Sequence, residues 1–462
     1  MIPLKASVIA ELTGGTLHGS DALVSAPAFL VSSECANGSL FLAIKGENAD
    51  GHDFVADAFS HGAVLALTSH VVDHSCVVVP DVIVAVGKLA AYVRNELKNL
   101  SVVGITGSQG KTTTKELLSA VLGAQGKTVA TKGNNNNELG VPITLLNCDE
   151  STKFCIVEIG ARHLGDIAAL CRIAKPDIGV VLRVAAAHLG EFGSMEKIAQ
   201  TKSEMISTLA EDGIAILGQY DSYTPAMKSL HQGEVITFGE TSDSNIRATD
   251  IEVREGRAHF DLVTPEGRST VALRLIGLHQ IGNALAAAAV AHALGVSTDH
   301  IAGLLSTAEM HAHWRMEVIE LDDLVLINDA YNASPDSMAA ALNTLAHFTQ
   351  ERGGESWAFL GNMRELGESA ADAHAEIGRL ATSLGIDHLV TVGAPDYKSG
   401  VGNPTVLHEC ADRAEAIAIA AHINRGDVVL CKASRSDRLE LLANEIETMW
   451  SARISNEEEG DK

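Results

Sequence analysis

Lys111 is the residue whose setting says most about the chemistry of this chain. It lies in Gly104-Ile105-Thr106-Gly107-Ser108-Gln109-Gly110-Lys111-Thr112-Thr113-Thr114-Lys115-Glu116, directly after the apolar pair Val102-Val103 and directly before a helical pattern beginning at Leu117. A glycine-rich turn between a strand and a helix is a phosphate cradle. Gly104, Gly107 and Gly110 let the backbone approach a polyphosphate, successive N–H groups and the helix N-terminus supply positive potential, and Lys111 adds a mobile cation. Thr112 would place a hydroxyl on Mg²⁺. The glycines are not spaced as in the regular Gly-x4-Gly-Lys, so the strand-loop-helix context carries the reading of a nucleotide site.

Other residues share that placement at the carboxyl end of a strand. Glu158 follows the apolar run Phe154-Cys155-Ile156-Val157, and a carboxylate there is a hard oxygen ligand for Mg²⁺ beside a triphosphate. His188 comes one strand later, after Ala185-Ala186-Ala187; taken alone it reads as a structural histidine. Lys202 falls on the same helical face as Ile198, Met205, Ile206 and Leu209. A lysine on an apolar stripe ordinarily snorkels to water. The functional alternative is an amine of lowered pKa that reacts with CO₂, giving a carbamate that reverses its charge and offers oxygen ligands. The run Asn134-Asn135-Asn136-Asn137 offers amide donors and acceptors to sugars and phosphates, and Asn328 to Ser337 converge at another strand end.

These residues must be held by α/β layers. The 462-residue chain is too long for one core and suggests three domains. It is rich in Ala, Val, Ile and Leu and poor in aromatics. Residues 1–98 read as a small α/β domain. Residues 99–312 show strand-helix repeats of a mostly parallel sheet, with an antiparallel excursion over 246–275 and an Ala-rich helix from Asn283 to about Leu294. Residues 313–462 form a second doubly wound unit. The tail from Asn456 reads as solvated and disordered. A net charge of −25 argues against nucleic acid or an anionic membrane as partner. Seven cysteines without a Cys-x-x-Cys pair read as reduced core thiols. With no secretory leader and no apolar span, a cytoplasmic location is expected.

Together these segments resemble the Mur ligases, ATP-dependent amide-forming enzymes of peptidoglycan precursor synthesis. The resemblance runs from Gly38-Ser39-Leu40-Phe41 and Asp50-Gly51-His52-Asp53-Phe54 to Gly426-Asp427-Val428-Val429-Leu430-Cys431-Lys432. Within the family, Asp329-Ala330-Tyr331-Asn332-Ala333-Ser334-Pro335 and Gly361-Asn362-Met363-Arg364-Glu365-Leu366-Gly367-Glu368 are similar to the member that adds D-alanyl-D-alanine to a UDP-N-acetylmuramoyl-tripeptide. The Asp-Asn-Pro-Arg motif of the diaminopimelate-adding ligases is absent.

The resemblance implies a three-domain α/β architecture: a small N-terminal domain for the uridine end of the substrate, a central P-loop ATPase domain, and a C-terminal Rossmann-like domain that closes on ATP and binds the dipeptide. It implies Gly107, Ser108, Gln109, Gly110, Lys111, Thr112 and Thr113 on the ATP phosphates, with His279, Asn283, Arg315 and Asp329 also on the nucleotide. It implies one Mg²⁺ on Thr112 and Glu158, and a second on His188 and carbamylated Lys202. Ser32, Ser33, Asn134, Asn135, Asn136, Asn137, Tyr331 and Asn332 would meet the substrates, and a monomer would suffice. The chain departs from the family at four places. Val31-Ser32-Ser33 replaces Asp-Ser/Thr-Arg, His313-Trp314-Arg315 replaces Pro-Gly-Arg, Gln280 replaces the first Asn of Asn-x-x-Asn, and Ala433 replaces a glycine. A sister ligase adding another amino acid, or a non-catalytic nucleotide-binding subunit, are the alternatives.

Overall fold

Four strands, Phe154–Glu158, Leu324–Asn328, Ser356–Leu360 and Val428–Lys432, are buried at every position. Parallel strands covered by helices on both faces have that pattern, whereas strands with one wet face alternate. They belong to a computed structural model that describes residues 1–46, 48–186, 189–309 and 313–460.

Three main sheets succeed one another along the chain. The first has the order Thr16–His18, Cys76–Val78, Ala63–Thr68, Ser39–Leu42, Ala28–Phe29. The second begins at an antiparallel edge, Gly267–Ile276, Arg257–Thr264, Ile246–Arg254. It continues in parallel through Glu234–Gly239, Ile214–Gly218, Ile178–Val181, Ser101–Thr106, Phe154–Glu158 and Thr128–Ala130. The third runs Glu317–Leu321, Leu324–Asn328, Val428–Lys432, Ser356–Leu360, His388–Val392, Val406–Cys410, parallel except for its first strand. In the second sheet Ser101–Thr106 lies between Phe154–Glu158 and Ile178–Val181. Strand order reverses there, so the phosphate loop opens into the crevice where α/β sheets hold ligands.

The first two sheets share one apolar cluster. It extends from Leu40, Leu65 and Val86 to Val102, Val157 and Met205, and helix Val82–Glu96 packs on helices Gly140–Leu146 and Asp166–Ala174. Arg94 adds two hydrogen bonds to Asp177, at 2.9 and 3.0 Å. All seven cysteines are buried free thiols. No helix among the described residues is long and apolar enough to cross a membrane.

Three expectations change. Gly104 lies inside strand Ser101–Thr106, where a Cβ would meet the Met205 side chain at 3.1 Å; it serves packing, and the cradle begins at Gly107. The Ala-rich helix begins at Gln280, so Asn283 lies within its first turns. Its polar start escapes an apolar pattern because Gln280 is buried by tertiary contact. The tail is not irregular as far as Gly460, because helix Leu439–Gly460 runs to that point. Buried Leu442, Ala443, Ile446 and Trp450 anchor its first half, and a helix once nucleated propagates cheaply through glutamates.

Candidate active site

The loop of the phosphate cradle has the backbone its glycines permit. Gly107 has φ +155° and Gly110 +82°, and a Cβ on Gly110 would stand 2.2 Å from Asn283 Oδ1. Helix Lys111–Gly123 starts immediately after, so the free N–H groups of its first turn face the loop. Ser108 Oγ donates to Ala185 O and accepts from Ala185 N, both at 2.9 Å, which braces the loop on the neighbouring strand end. Lys111 Nζ donates to Gly107 O at 2.9 Å. Burial lowers its pKa; Glu158 opposes that shift and Arg315 adds to it.

Glu158 ends its strand with a side chain that accepts from Thr112 Oγ1 and from Asn136 Nδ2, both at 2.9 Å. Thus Asn136, alone of the asparagine run, turns onto the carboxylate, while Asn137 Oδ1 accepts from Leu139 and Gly140 N and shapes the loop. Lys115, 1% exposed, reaches from the phosphate-loop helix to Thr131 O and Gly133 O, 2.7 Å each. It pins the asparagine loop to the cradle.

Lys202 comes from helix Met195–Ser207, whose start Ser194 caps. It is 7% exposed and has no hydrogen-bond or ion-pair partner among the described residues. Burial, then the positive charge of Lys111, pushes its pKa down to about 7. His188 lies outside the described residues.

The opposite wall is built by the third sheet. Arg315 lies 3.8 Å over the Tyr331 ring, Asp329 Oδ1 accepts from Met316 N at 3.0 Å, and Lys432 Nζ donates to Asp329 Oδ2 at 2.6 Å and to Asn332 O at 2.8 Å. Gln109 Nε2 crosses the cleft to Ser334 Oγ at 3.3 Å. At the cleft edge His279, Gln280 and Asn283 form a chain: Gln280 Nε2 meets His279 Nε2 at 3.0 Å, and Asn283 Nδ2 donates to Gln280 Oε1 at 2.8 Å. The longer amide of Gln280 thereby links the two residues expected on the nucleotide. Surrounding protein lowers the pKa of His279, with Asp329 opposing and Lys432 and Arg183 reinforcing, so its imidazole is neutral near pH 7.

The cleft measures about 890 Å³. It gathers Gly107 to Thr113, Asn134 to Asn137, Glu158, Lys202, His279, Asn283, Arg315, Asp329, Tyr331 and Asn332. Ser32 and Ser33 do not line it; they sit in the short turn Ser32–Glu34, which Glu34 ties to Lys132 at 2.6 Å, next to the asparagine loop. Arg364, Ser334 and Lys432 also line the cleft; they fall in the segments that carry the family resemblance, which gives them no role of their own. Lys432 carried the same signal as Glu158, a charged residue closing a buried apolar strand.

No group of three His, Cys, Asp or Glu side chains among the described residues could hold a metal. Thr112 and Glu158 fit Mg²⁺ nonetheless, because that ion keeps few protein ligands and takes the rest from water and substrate phosphates.

A phosphate cradle faced by a second wall of cations and acids is the site of a nucleotide-dependent enzyme, and the sequence comparisons give its family. Residues 105–291 match the Mur ligase middle domain, 314–435 the Mur ligase glutamate ligase domain, and 30–110 the Mur ligase family catalytic domain. The chain belongs to the Mur ligase family. It is similar to the UDP-N-acetylmuramoyl-tripeptide–D-alanyl-D-alanine ligase of Mycobacterium tuberculosis, with 38% identity over 96% of this chain and 98% of that protein. In structure it is similar to MurF from Acinetobacter baumannii, with a TM-score of 0.87 and 34% identity over 96% of this chain and 99% of that one. It is also similar to MurF ligase from Thermotoga maritima in complex with ADP, with a TM-score of 0.80 and 30% identity over 93% of this chain and 99% of that one.

Proposed function

We propose that this chain joins D-alanyl-D-alanine to UDP-N-acetylmuramoyl-tripeptide with ATP, completing the pentapeptide precursor of peptidoglycan. The observation that carries this is the single cleft in which the phosphate loop, Glu158 and Lys202 face Arg315, Asp329 and Lys432, in a chain similar over nearly its whole length to ligases of that name.

A carboxylate is a poor acyl donor. The tripeptide carboxylate oxygen attacks the γ-phosphorus of ATP and ADP leaves, giving an acyl phosphate; the dipeptide amine attacks its carbonyl carbon and phosphate departs. Lys111 and the first-turn N–H groups stabilise the charge on the transferring phosphoryl group. Thr112 and Glu158 would hold one Mg²⁺, and His188 with a carbamate on Lys202 a second. Bound there, the metals neutralise the repulsion between carboxylate and triphosphate. The low pKa and isolation of Lys202 support the carbamate, since only a neutral amine adds CO₂. His279 and Asn283 would take the nucleoside side, Arg315 and Asp329 the phosphates from the closing wall, and Tyr331 and Asn332 the incoming dipeptide. Closure over this cleft excludes the water that would hydrolyse the acyl phosphate.

We assign residues 1–98 to the uridine end, 99–312 to ATP and 313–462 to closure and the dipeptide. The Glu34–Lys132 pair supports the first assignment by holding the Ser32-Ser33 turn beside the asparagine loop. One chain supplies every wall of the cleft, so a monomer suffices, and substrates of this kind place the reaction in the cytoplasm. The test is phosphate release from ATP and Mg²⁺ with the UDP-tripeptide, with and without D-alanyl-D-alanine, and the mass of the product. Dipeptide-dependent release with a pentapeptide product is expected; turnover only with a single amino acid would mean a sister ligase, and none with either a binding subunit.

A further inference from the structure

Arg315 is flanked by two residues whose backbones are left-handed without being glycine: Trp314 at φ +61° and Met316 at +53°. For a bulky aromatic residue this conformation is disfavoured and persists only where surrounding contacts over-determine it. Those contacts are present. The Arg435 guanidinium lies 4.3 Å from the centre of the Trp314 ring, and Arg435 is itself anchored at 2.5 Å on Glu440, whose side chain is 4% exposed. Trp314 N donates to Glu317 Oε2 at 3.0 Å, its carbonyl accepts from Tyr331 N at 3.1 Å, and Met316 N donates to Asp329. Every one of these partners belongs to the third sheet, its loops or the helical turns that follow its strand Val428–Lys432, so the strand-entry segment from His313 is tied to that unit.

We propose that Trp314 is a positioning residue: clamped by Arg435 on Glu440, its ring holds the paired left-handed turns that aim Arg315 across the Tyr331 face into the nucleotide cleft. The inference rests on Arg315 serving the nucleotide. A guanidinium over an indole face is an attractive pair, and here it offsets an unfavourable backbone next to a cation of the cleft. The clamp uses no residue of the phosphate loop or the metal set.

Glycine separates clamp from tolerated strain. Trp314→Gly relieves the left-handed backbone, so a residue that is merely tolerated would give a variant at least as active and as stable as the parent. If the clamp positions Arg315, Trp314→Gly raises the KM for ATP and lowers kcat, together reducing kcat/KM about ten- to one-hundred-fold, with the KM for D-alanyl-D-alanine unchanged and no fall in melting temperature. Trp314→Phe restores most of the loss by keeping a ring for the guanidinium. Arg435→Ala, at a half-exposed side chain, repeats the Trp314→Gly phenotype, and the double variant is no worse than either single one. Parental kinetics in Trp314→Gly, or a multiplicative loss in the double variant, overturns the clamp; should Trp314→Gly fail to fold, parental kinetics in Arg435→Ala overturns it equally. Arg315→Ala tells the two readings apart. If it is as active as the parent, the nucleotide role of Arg315 falls; if it is inactive while Trp314→Gly and Arg435→Ala are unaffected, only the clamp falls.

Discussion

The two walls of the cleft reach the same phosphate loop by different routes. The wall carried by the second sheet has an almost contiguous centre: Gly107 to Thr113 form one turn of chain, closed by Glu158 from the adjacent strand, with Lys202, His279 and Asn283 around it. The wall carried by the third sheet collects Arg315, Asp329, Arg364 and Lys432 from separate strand ends, and its central ion pair joins residues 103 apart in sequence. A local wall depends on backbone conformation, which glycine secures. A dispersed wall depends on a sheet that packs correctly and on buried pairs that hold its side chains in register. The lysines show the contrast. Lys111 has a carbonyl of its own loop, whereas Lys432, 2% exposed, is held by an acid from another strand.

The largest effect is expected on the local wall. Lys111→Ala should lower kcat for dipeptide-dependent phosphate release about a thousand-fold while the melting temperature stays near that of the parent; a loss of a few-fold would mean that the loop backbone alone supplies the electrostatics. Next comes Lys202→Ala, with a loss on the order of a hundred-fold, partly recovered by added short-chain carboxylates. Full activity in that variant would remove the second-metal assignment.

Lys202→Met sharpens the point through stability. Burial lowers the Lys202 pKa from 10.5 to about 7, so between those pH values the unfolded chain binds a proton that the folded chain does not. In CO₂-depleted buffer the parent therefore gains stability as pH rises from 7 toward 10.5, and the advantage of the methionine variant in thermal melts shrinks over the same window.

On the dispersed wall, Lys432→Met should cost about 2 kcal/mol in urea unfolding, because it leaves the partly buried Asp329, 13% exposed, without its cation. Its kcat should fall less than that of Lys111→Ala; equal losses would erase the distinction between the walls. The smallest effect belongs to Lys132→Ala. The Glu34–Lys132 pair is exposed, at 42% and 79%, so its removal should shift stability by less than about 1 kcal/mol and the KM for the UDP-tripeptide by less than about two-fold.

Legibility followed the same division. The cradle and Glu158 announced themselves because glycines, a lysine and a strand-end acid are close in sequence, and Lys202 because helical periodicity set it on a buried face. Gly104 looked like part of the cradle, since its packing against Met205 is a contact between elements. The apolar pattern places the start of the Ala-rich helix three residues late, because Gln280 is polar and gains its buried place only through tertiary contact. The tail follows the same rule: its composition suggests disorder, but buried Trp450 upstream fixes the helix that runs on to Gly460. At Trp314 the sequence shows only a departure from Pro-Gly-Arg, and it is the position of Arg435 that gives the indole face a cation.

From the sequence alone came the α/β class, the nucleotide-binding turn, the candidate metal acid and the resemblance to a ligase family, because each depends on residues near one another in the chain or on periodicity. Tertiary structure decided which strand ends share a cleft, that Lys202 stands beside Lys111, that Lys432 restrains Asp329, and how Arg315 is aimed. Those outcomes depend on strand order and on desolvation by distant residues, which no local pattern encodes.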